Sequence, residues 1–171
     1  MSVSSAFALP CTSSTGGLVN IHISDKANIL TFTLSGDEYT SVTMTASNVF
    51  FKYEFEQDTA AMRENASRES RSTVVVHEVE FYLTKMTTLQ RNAIQAILDS
   101  SVCGVVVIAE DANSQKWVIG FSENQLLARP LKISTVEGTT GLAFSDDNGS
   151  AIILASSDTE LARIFTGTIP V

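Results

Sequence analysis

Met86-Thr87-Thr88-Leu89-Gln90-Arg91-Asn92-Ala93-Ile94-Gln95-Ala96-Ile97-Leu98-Asp99, then Val102-Cys103-Gly104-Val105-Val106-Val107-Ile108-Ala109, is the stretch whose reading decides the fold. Its first part predicts a helix over 87–99. Thr87 and Gln90 stand at capping-box spacing, where each side chain reaches the other's unpaired backbone N–H. Leu89, Ala93, Ile94, Ile97 and Leu98 recur at helical intervals and make one apolar stripe. The run that follows predicts a buried strand in which Cys103 is a small core residue. Asp111-Ala112-Asn113-Ser114 has turn chemistry, and Lys116-Trp117-Val118-Ile119-Gly120-Phe121 returns as a second strand. No other segment carries a convincing helical period. The expected fold is therefore β structure gathered around one amphipathic helix.

Outward from this unit, both flanks read as strands and turns. Residues 1–17, rich in Ser, Thr and Gly, predict an N-terminal arm, and 18–171 a single β domain. Leu18–Ser24 reads as a strand. Ile29–Leu34 alternates, with Leu30, Phe32 and Leu34 on one face. Val49, Phe51, Tyr53 and Phe55 share a face opposite Lys52, Glu54 and Glu56, the pattern of a strand with one wet side. Thr73–Leu83 is the clearest strand, with Val75, His77, Val79, Phe81 and Leu83 on one face and Glu78 and Glu80 on the other. Between these two strands, 57–72 is polar and charged. It reads as a solvated surface loop at the tip of a hairpin, where Asp58–Ala66 has room for a turn or two of helix, and its length also fits the alternative of a protruding arm that contacts another subunit. Pro130 places its neighbourhood at an edge or bend. Thr135–Phe144, with Gly138 and Gly141, predicts a bulged or twisted strand. Asp146-Asp147-Asn148-Gly149 carries the Asn-Gly signal of a type I′ hairpin into Ala151–Ala155. Leu161–Phe165 is the last apolar run.

The 171 residues suffice for one substantial core, and a hydrophobic fraction of 44% excludes general disorder. The formal net charge of -8 argues against an electropositive nucleic-acid footprint and against attraction to anionic lipid. No apolar run approaches the roughly 20 residues that span a bilayer, and Met1–Cys11 lacks the basic start and apolar centre of a signal peptide. With Cys11 and Cys103 alone, no disulfide framework is implied and a reducing compartment is expected.

Residues suited to chemistry are sparse. His22 and His77 both fall in expected strands and read as structural. Either could pair with Cys11 or Cys103 as base and nucleophile, but no Gly-x-Ser-x-Gly elbow or protease cysteine motif accompanies them. Cys-x-x-Cys and His-Glu-x-x-His are missing, Asp146–Gly149 lacks the spacing of a calcium loop, and Gly16-Gly17 is no phosphate loop. Asn65-Ala66-Ser67 and Asn148-Gly149-Ser150 match the glycosylation sequon without a secretory context. The expectation is a protein without catalytic residues, cofactor or metal.

Several short motifs together carry a resemblance. Val105–Asp111 with Lys116–Phe121, then Val136-Glu137-Gly138-Thr139-Thr140-Gly141, then Ser145–Ser150 with Ile152 and Leu154, stand in the order of a turn between two apolar strands, a Gly-Thr-x-Gly stretch and an Asp-x-Asn-Gly hairpin. Over residues 87–155 the chain resembles the tail-tube-like ring proteins of tailed bacteriophages, notably those infecting Bacteroidota. The resemblance implies a β-barrel or β-sandwich with one flanking helix and a long hairpin loop. It also implies a virion localisation after assembly in the host cytoplasm. Copies would pack into a hexameric or dodecameric ring, against adjacent tail or portal proteins, as a conduit for double-stranded DNA that passes without specific binding. Open strand edges suit such a heterologous ring, and an acidic lining would let phosphates slide. Glu54, Glu56, Glu78 and Glu80 are candidates for that lining. Deleting Ala60–Arg71 is expected to abolish assembly and leave the domain folded. The alternative is a non-enzymatic β-sandwich binding module, such as a host-surface or carbohydrate adhesin. An exposed Trp117 or tyrosine in an open groove would favour the adhesin, and a core Trp117 the ring.

Overall fold

The chain is described in a computed structural model, which covers residue 7 and residues 13–69, 71–122 and 127–171. Along the chain run β1 (Leu18–Asp25), β2 (Ile29–Ser35), β3 (Glu38–Met44), β4 (Phe51–Tyr53), β5 (Ala60–Glu69) and β6 (Ser72–Thr84). Then come α1 (Thr88–Ser100), β7 (Val105–Asp111), β8 (Lys116–Ile119), β9 (Phe121–Ser122), β10 (Leu127–Ala128), β11 (Lys132–Thr139), β12 (Gly149–Asp158) and β13 (Arg163–Ile164). The molecule is mainly β, with several antiparallel sheets and α1 as the single α-helix among the described residues. Most of the expected arm, Cys11 included, lies outside the described residues, as do Asn124, Gln125 and Leu126.

Three layers stack. The middle layer is an antiparallel sheet in the order β13-β8-β7-β1-β4. One of its faces meets a four-stranded antiparallel sheet, β11-β12-β6-β5. Ile21, Ile23, Val107 and Ala109 pack there against Val79, Phe81, Ile152 and Leu154. The other face carries the β2–β3 hairpin, where Phe32, Tyr39 and Phe165 join Val106, Ile108 and Val118. β7 is thus buried on both faces, which is why Val105–Ala109 is continuously apolar rather than alternating. β6 has one buried face and alternates from Val75 to Leu83.

The helix begins where its cap predicts. Thr87 Oγ1 accepts from the Gln90 N–H at 3.2 Å. The reciprocal half of the box is not made, because the Gln90 amide donates to the Leu83 carbonyl at 2.7 Å instead. That bond turns Gln90 inward, so the buried face is Gln90, Ile94 and Ile97, while Leu89 is 80% exposed.

Several sequence expectations are corrected. Cys103 is exposed rather than core, because the strand starts at Val105. Residues 101–104 are spent turning out of the helix, with the N–H groups of Cys103 and Gly104 bonded to the Ser100 carbonyl. Gly104 has φ +95, and a β-carbon there would collide with the Pro130 ring. Phe50, not Phe51, is the buried aromatic before β4. Its N–H is held by the Pro170 carbonyl, and Phe51 is 63% exposed.

The polar segment 57–72 is neither loop nor helix. Its residues Ala60–Glu69 pair with β6 from Ala60↔Phe81 to Glu69↔Ser72. Ala60 and Met62 anchor the start of the strand against the core, and an edge strand tolerates polar groups along the rest of its length. Deleting Ala60–Arg71 would therefore remove a strand whose Ala60 is buried in the core. Finally, β11 stops at Thr139, so 140–148 is a wide loop rather than a two-residue turn. Its shape comes from Asp146, which accepts from the N–H groups of Leu142 and Ala143 at 2.8 Å each. The bulge expected at the glycines is not there: the register runs unbroken from Thr135↔Ile153 to Thr139↔Gly149, and the irregularity in β11 falls upstream, between Ile133 and Thr135.

Candidate functional site

The most developed surface is the four-stranded sheet, and the direction of each backbone group along its edges follows from the ladder. The Tyr82 N–H donates to the Thr59 carbonyl at 3.1 Å. With Ala60 opposite Phe81, Thr59 and Tyr82 form a hydrogen-bonded pair. Antiparallel ladders alternate bonded and non-bonded pairs. The backbone N–H and C=O groups of Ala60, Met62, Glu64, Ala66 and Arg68 therefore point away from β6. The same alternation carried across β12 leaves Val136 and Gly138 pointing outward on β11. Neither edge pairs with a further strand among the described residues.

The sheet's outer face carries Arg63, Glu78 and Glu80 with Glu137 and Lys132, read from the register. Arg63 and Glu80 form an ion pair at 2.6 Å, exposed and so of small energetic weight. Of the four expected acidic residues, the sheet brings together Glu78 and Glu80. Glu54 lies after β4, where it pairs with Lys52 at 2.9 Å. Glu56 is exposed beyond it, with its carbonyl accepting from Thr59.

The two histidines lie on different sheets. His77 is buried on β6. Its Nδ1 lies 3.1 Å from Glu64 Oε1, and its Nε2 lies 3.0 Å from the Glu160 carbonyl oxygen. Both ring nitrogens thus face oxygen atoms. The position a nucleophile would need is held by a main-chain carbonyl. Glu64 also accepts from the Ala162 N–H at 2.6 Å. Burial pushes the Glu64 carboxyl up, but the His77 hydrogen bond, the Ala162 N–H and the imidazole charge together hold it below its ordinary value. His22 is buried between Lys52 and Ile108 on the neighbouring strands. Burial lowers its pKa, opposed by Glu110 and assisted by Lys52. No group of three or more His, Cys, Asp or Glu side chains is placed to hold a metal ion among the described residues.

Trp117 is half-buried and lines a groove of about 360 Å³ with Leu18, Met62, Glu64, Asp111 and Asn113. The polar groups of that groove are largely committed. The Asn113 side chain exchanges two bonds with the Thr15 backbone, at 3.0 and 2.9 Å. Asp111 Oδ1 accepts from the N–H groups of Asn113 and Gln115. A second groove, of about 560 Å³, runs between α1 and β4 and is mostly apolar. Sequence reasoning misses it, because periodicity assigns Leu89 and Phe51 to the core. No helix among the described residues is long and apolar enough to cross a membrane.

Compared with protein-family models, with curated proteins and with solved structures, the chain matches none.

Proposed function

We propose that the protein is a non-enzymatic structural subunit of a tailed-phage virion, a ring protein of the tail tube, tail barrel or head–tail connector. Copies close into a ring of six or twelve around passing double-stranded DNA. One observation carries the reading: among the described residues, the four-stranded sheet ends in two long unpaired edges that run in opposite directions. Its strands alternate, so β5 is antiparallel to β11. A neighbour generated by rotation alone sets its β11 beside β5, and that joint is again antiparallel. A sheet with an even number of alternating strands is thus continued by head-to-tail copies without a fault, which supports a closed heterologous assembly. The unpaired N–H and C=O groups of each edge are satisfied by the next copy.

The acidic balance of the chain, -8, fits the conduit role, because a carboxylate-bearing wall gives no counterion-release gain on contact with phosphates. The test is sedimentation velocity with negative-stain imaging of the purified protein. Closed rings or stacked tubes are expected, with no retention of duplex DNA at low salt. A monodisperse protomer at every concentration overturns the reading.

The half-buried Trp117 favours one second reading, a glycan-binding module. Trp117 is the only tryptophan, so its fluorescence reports that groove alone. A saturable shift on titration with oligosaccharides would support the module. The committed polar groups beside it favour the ring.

A further inference from the structure

We propose that the 140–148 loop of one copy seats Leu142 and Phe144 in the groove between α1 and β4 of the next copy. The proposal rests on the edge-to-edge ring described above. Leu142 and Phe144 are fully exposed, at 105% and 114%. The loop that carries them is shaped. Asp146 binds the N–H groups of Leu142 and Ala143, Thr139 Oγ1 accepts from the Gly141 N–H at 3.0 Å, and Gly141 turns the chain at φ +71. Two large apolar side chains on an internally braced loop form a knob with nothing beneath it. The groove is its counterpart in size and chemistry. Phe51, Tyr53, Leu83, Leu89, Ala93 and Ala96 line it, and Phe51 and Leu89 stand 63% and 80% exposed at its margins.

Knob and groove lie at one end of the sandwich but on opposite sides of it. The Asn148 carbonyl accepts from the Lys85 N–H at 2.7 Å, beside Leu83, Thr84 and Thr87 of the groove, so both features sit where β6 leaves the sheet. The loop belongs to the β11 side. The groove belongs to the β5 side, since β4 leads into β5 within residues 54–59 and β1 packs near β5. Rotation about a ring axis keeps ends together and brings the β11 side of one copy against the β5 side of its neighbour. The knob therefore meets the neighbour's groove in register with the strand joint.

Area selects a second copy over a separate protein. A buried aromatic side chain contributes roughly 150–250 Å², and even with a leucine beside it the contact stays well below the roughly 800 Å² per partner of a stable complex. Such a contact is too small for a free partner, but it is effective between copies already held side by side.

The test uses full chains carrying Cys11→Ser and Cys103→Ser. One preparation adds Phe144→Cys, another Leu89→Cys, and the two are mixed under mild oxidation. A disulfide linking the two kinds of chain is expected at assembling concentrations and not with either preparation alone. Gln95→Cys, on the exposed side of α1, serves as the control partner. In parallel, Leu142→Ser with Phe144→Ser should raise the concentration for half-assembly by roughly tenfold with an unchanged thermal melt, since neither side chain packs on its own protomer. Rings that form normally in that double variant, or cross-linking equal to the Gln95→Cys control, overturn this contact and leave the ring intact. A wild-type chain that never assembles overturns the ring reading, and this contact with it.

Discussion

The middle sheet and the four-stranded sheet use the same strand chemistry for different ends. The middle sheet is covered on both faces, and its edge strands are β13, of two residues, and β4, of three. The four-stranded sheet has one dry face, one wet face, and edges of ten and eight residues in β5 and β11. Burial on two faces concentrates stability in the first. Long unpaired edges concentrate the capacity to associate in the second. Short edges are a recognised defence against unwanted pairing, so the contrast supports the proposal that the four-stranded sheet is the one that meets a neighbour.

The largest effect should come from the middle sheet. Ile108 on β7 is fully buried, and Ile108→Ala should cost about 2–5 kcal/mol from lost burial and the cavity left behind. Ile153, half-buried on the outer face of the four-stranded sheet, should cost less than about 1 kcal/mol when replaced by Ala. Denaturant melts of the two variants measure the difference directly. Equal losses would mean that the outer face is as much a core as the middle layer, and the contrast would fail.

The next test acts on association. Ala66 directs its N–H to the open edge of β5, so Ala66→Pro removes a donor that β6 does not use. The assembly proposed for the wild type should be lost at matched concentrations, while stability falls by no more than about 1 kcal/mol. A variant that unfolds instead would show that the bonding alternation along β5 is the opposite one, with Ala66 bonded to β6 and Asn65 facing the open edge. In that case Asn65→Pro becomes the assembly test.

A smaller effect should appear at the pin that holds β5 to the C-terminal segment. The folded Glu64 carboxyl is held below its ordinary value of 4.5, so the unfolded chain binds its proton more readily. The stabilisation it gives is present above about 4.5 and is lost as pH falls through the lower folded value. Glu64→Gln keeps the shape and loses the charge. It should cost roughly 1 kcal/mol at neutral pH, discounted for partial exposure, and should flatten the acid limb of a stability-against-pH curve. An unchanged limb would place the acid sensitivity elsewhere.

How much of this is legible in the sequence depends on how far each element is governed by neighbours close in the chain. The helix start at Thr87, the strand alternation of Val75–Leu83 and the apolar run of β7 are local signals, and all appear where their patterns put them. β5 is not legible. Arg63, Glu64, Asn65 and Arg68 carry no strand propensity, and the segment is extended because β6 offers it a ladder. Leu89 and Phe51 read as core, and Leu142 and Phe144 as strand, because periodicity counts apolar residues without knowing which face finds a partner. The pin at His77 is hidden for a related reason. Its three contributors stand at positions 64, 77 and 160, and only the β5–β6 register and the turn after β12 bring them together. The surfaces that carry the functional proposal are thus the ones where local pattern and tertiary placement disagree.

The smallest effect should be confined to one loop. Asp146 is fully exposed, and its carboxyl is held below its ordinary value by the N–H groups of Ala143 and then Leu142. A depressed carboxyl supports the loop above its unfolded pKa and releases it as pH falls through the folded one. Asp146→Ala removes the brace without touching either cluster of buried side chains. Global stability should hold, because Leu142 and Phe144, which the brace positions, are fully exposed and Asn148 keeps its bond to Lys85. Amide exchange at Leu142 and Ala143 should accelerate at neutral pH to the rate the wild type reaches only in acid. If the braced shape is what presents Leu142 and Phe144 to a neighbour, the same variant should weaken assembly less than Leu142→Ser with Phe144→Ser does, because the apolar side chains remain and only their positioning is lost. Amides that exchange at the wild-type rate in Asp146→Ala would mean that Gly141 and Thr139 alone set the loop, and that the acidic residue beside the knob serves solubility rather than shape.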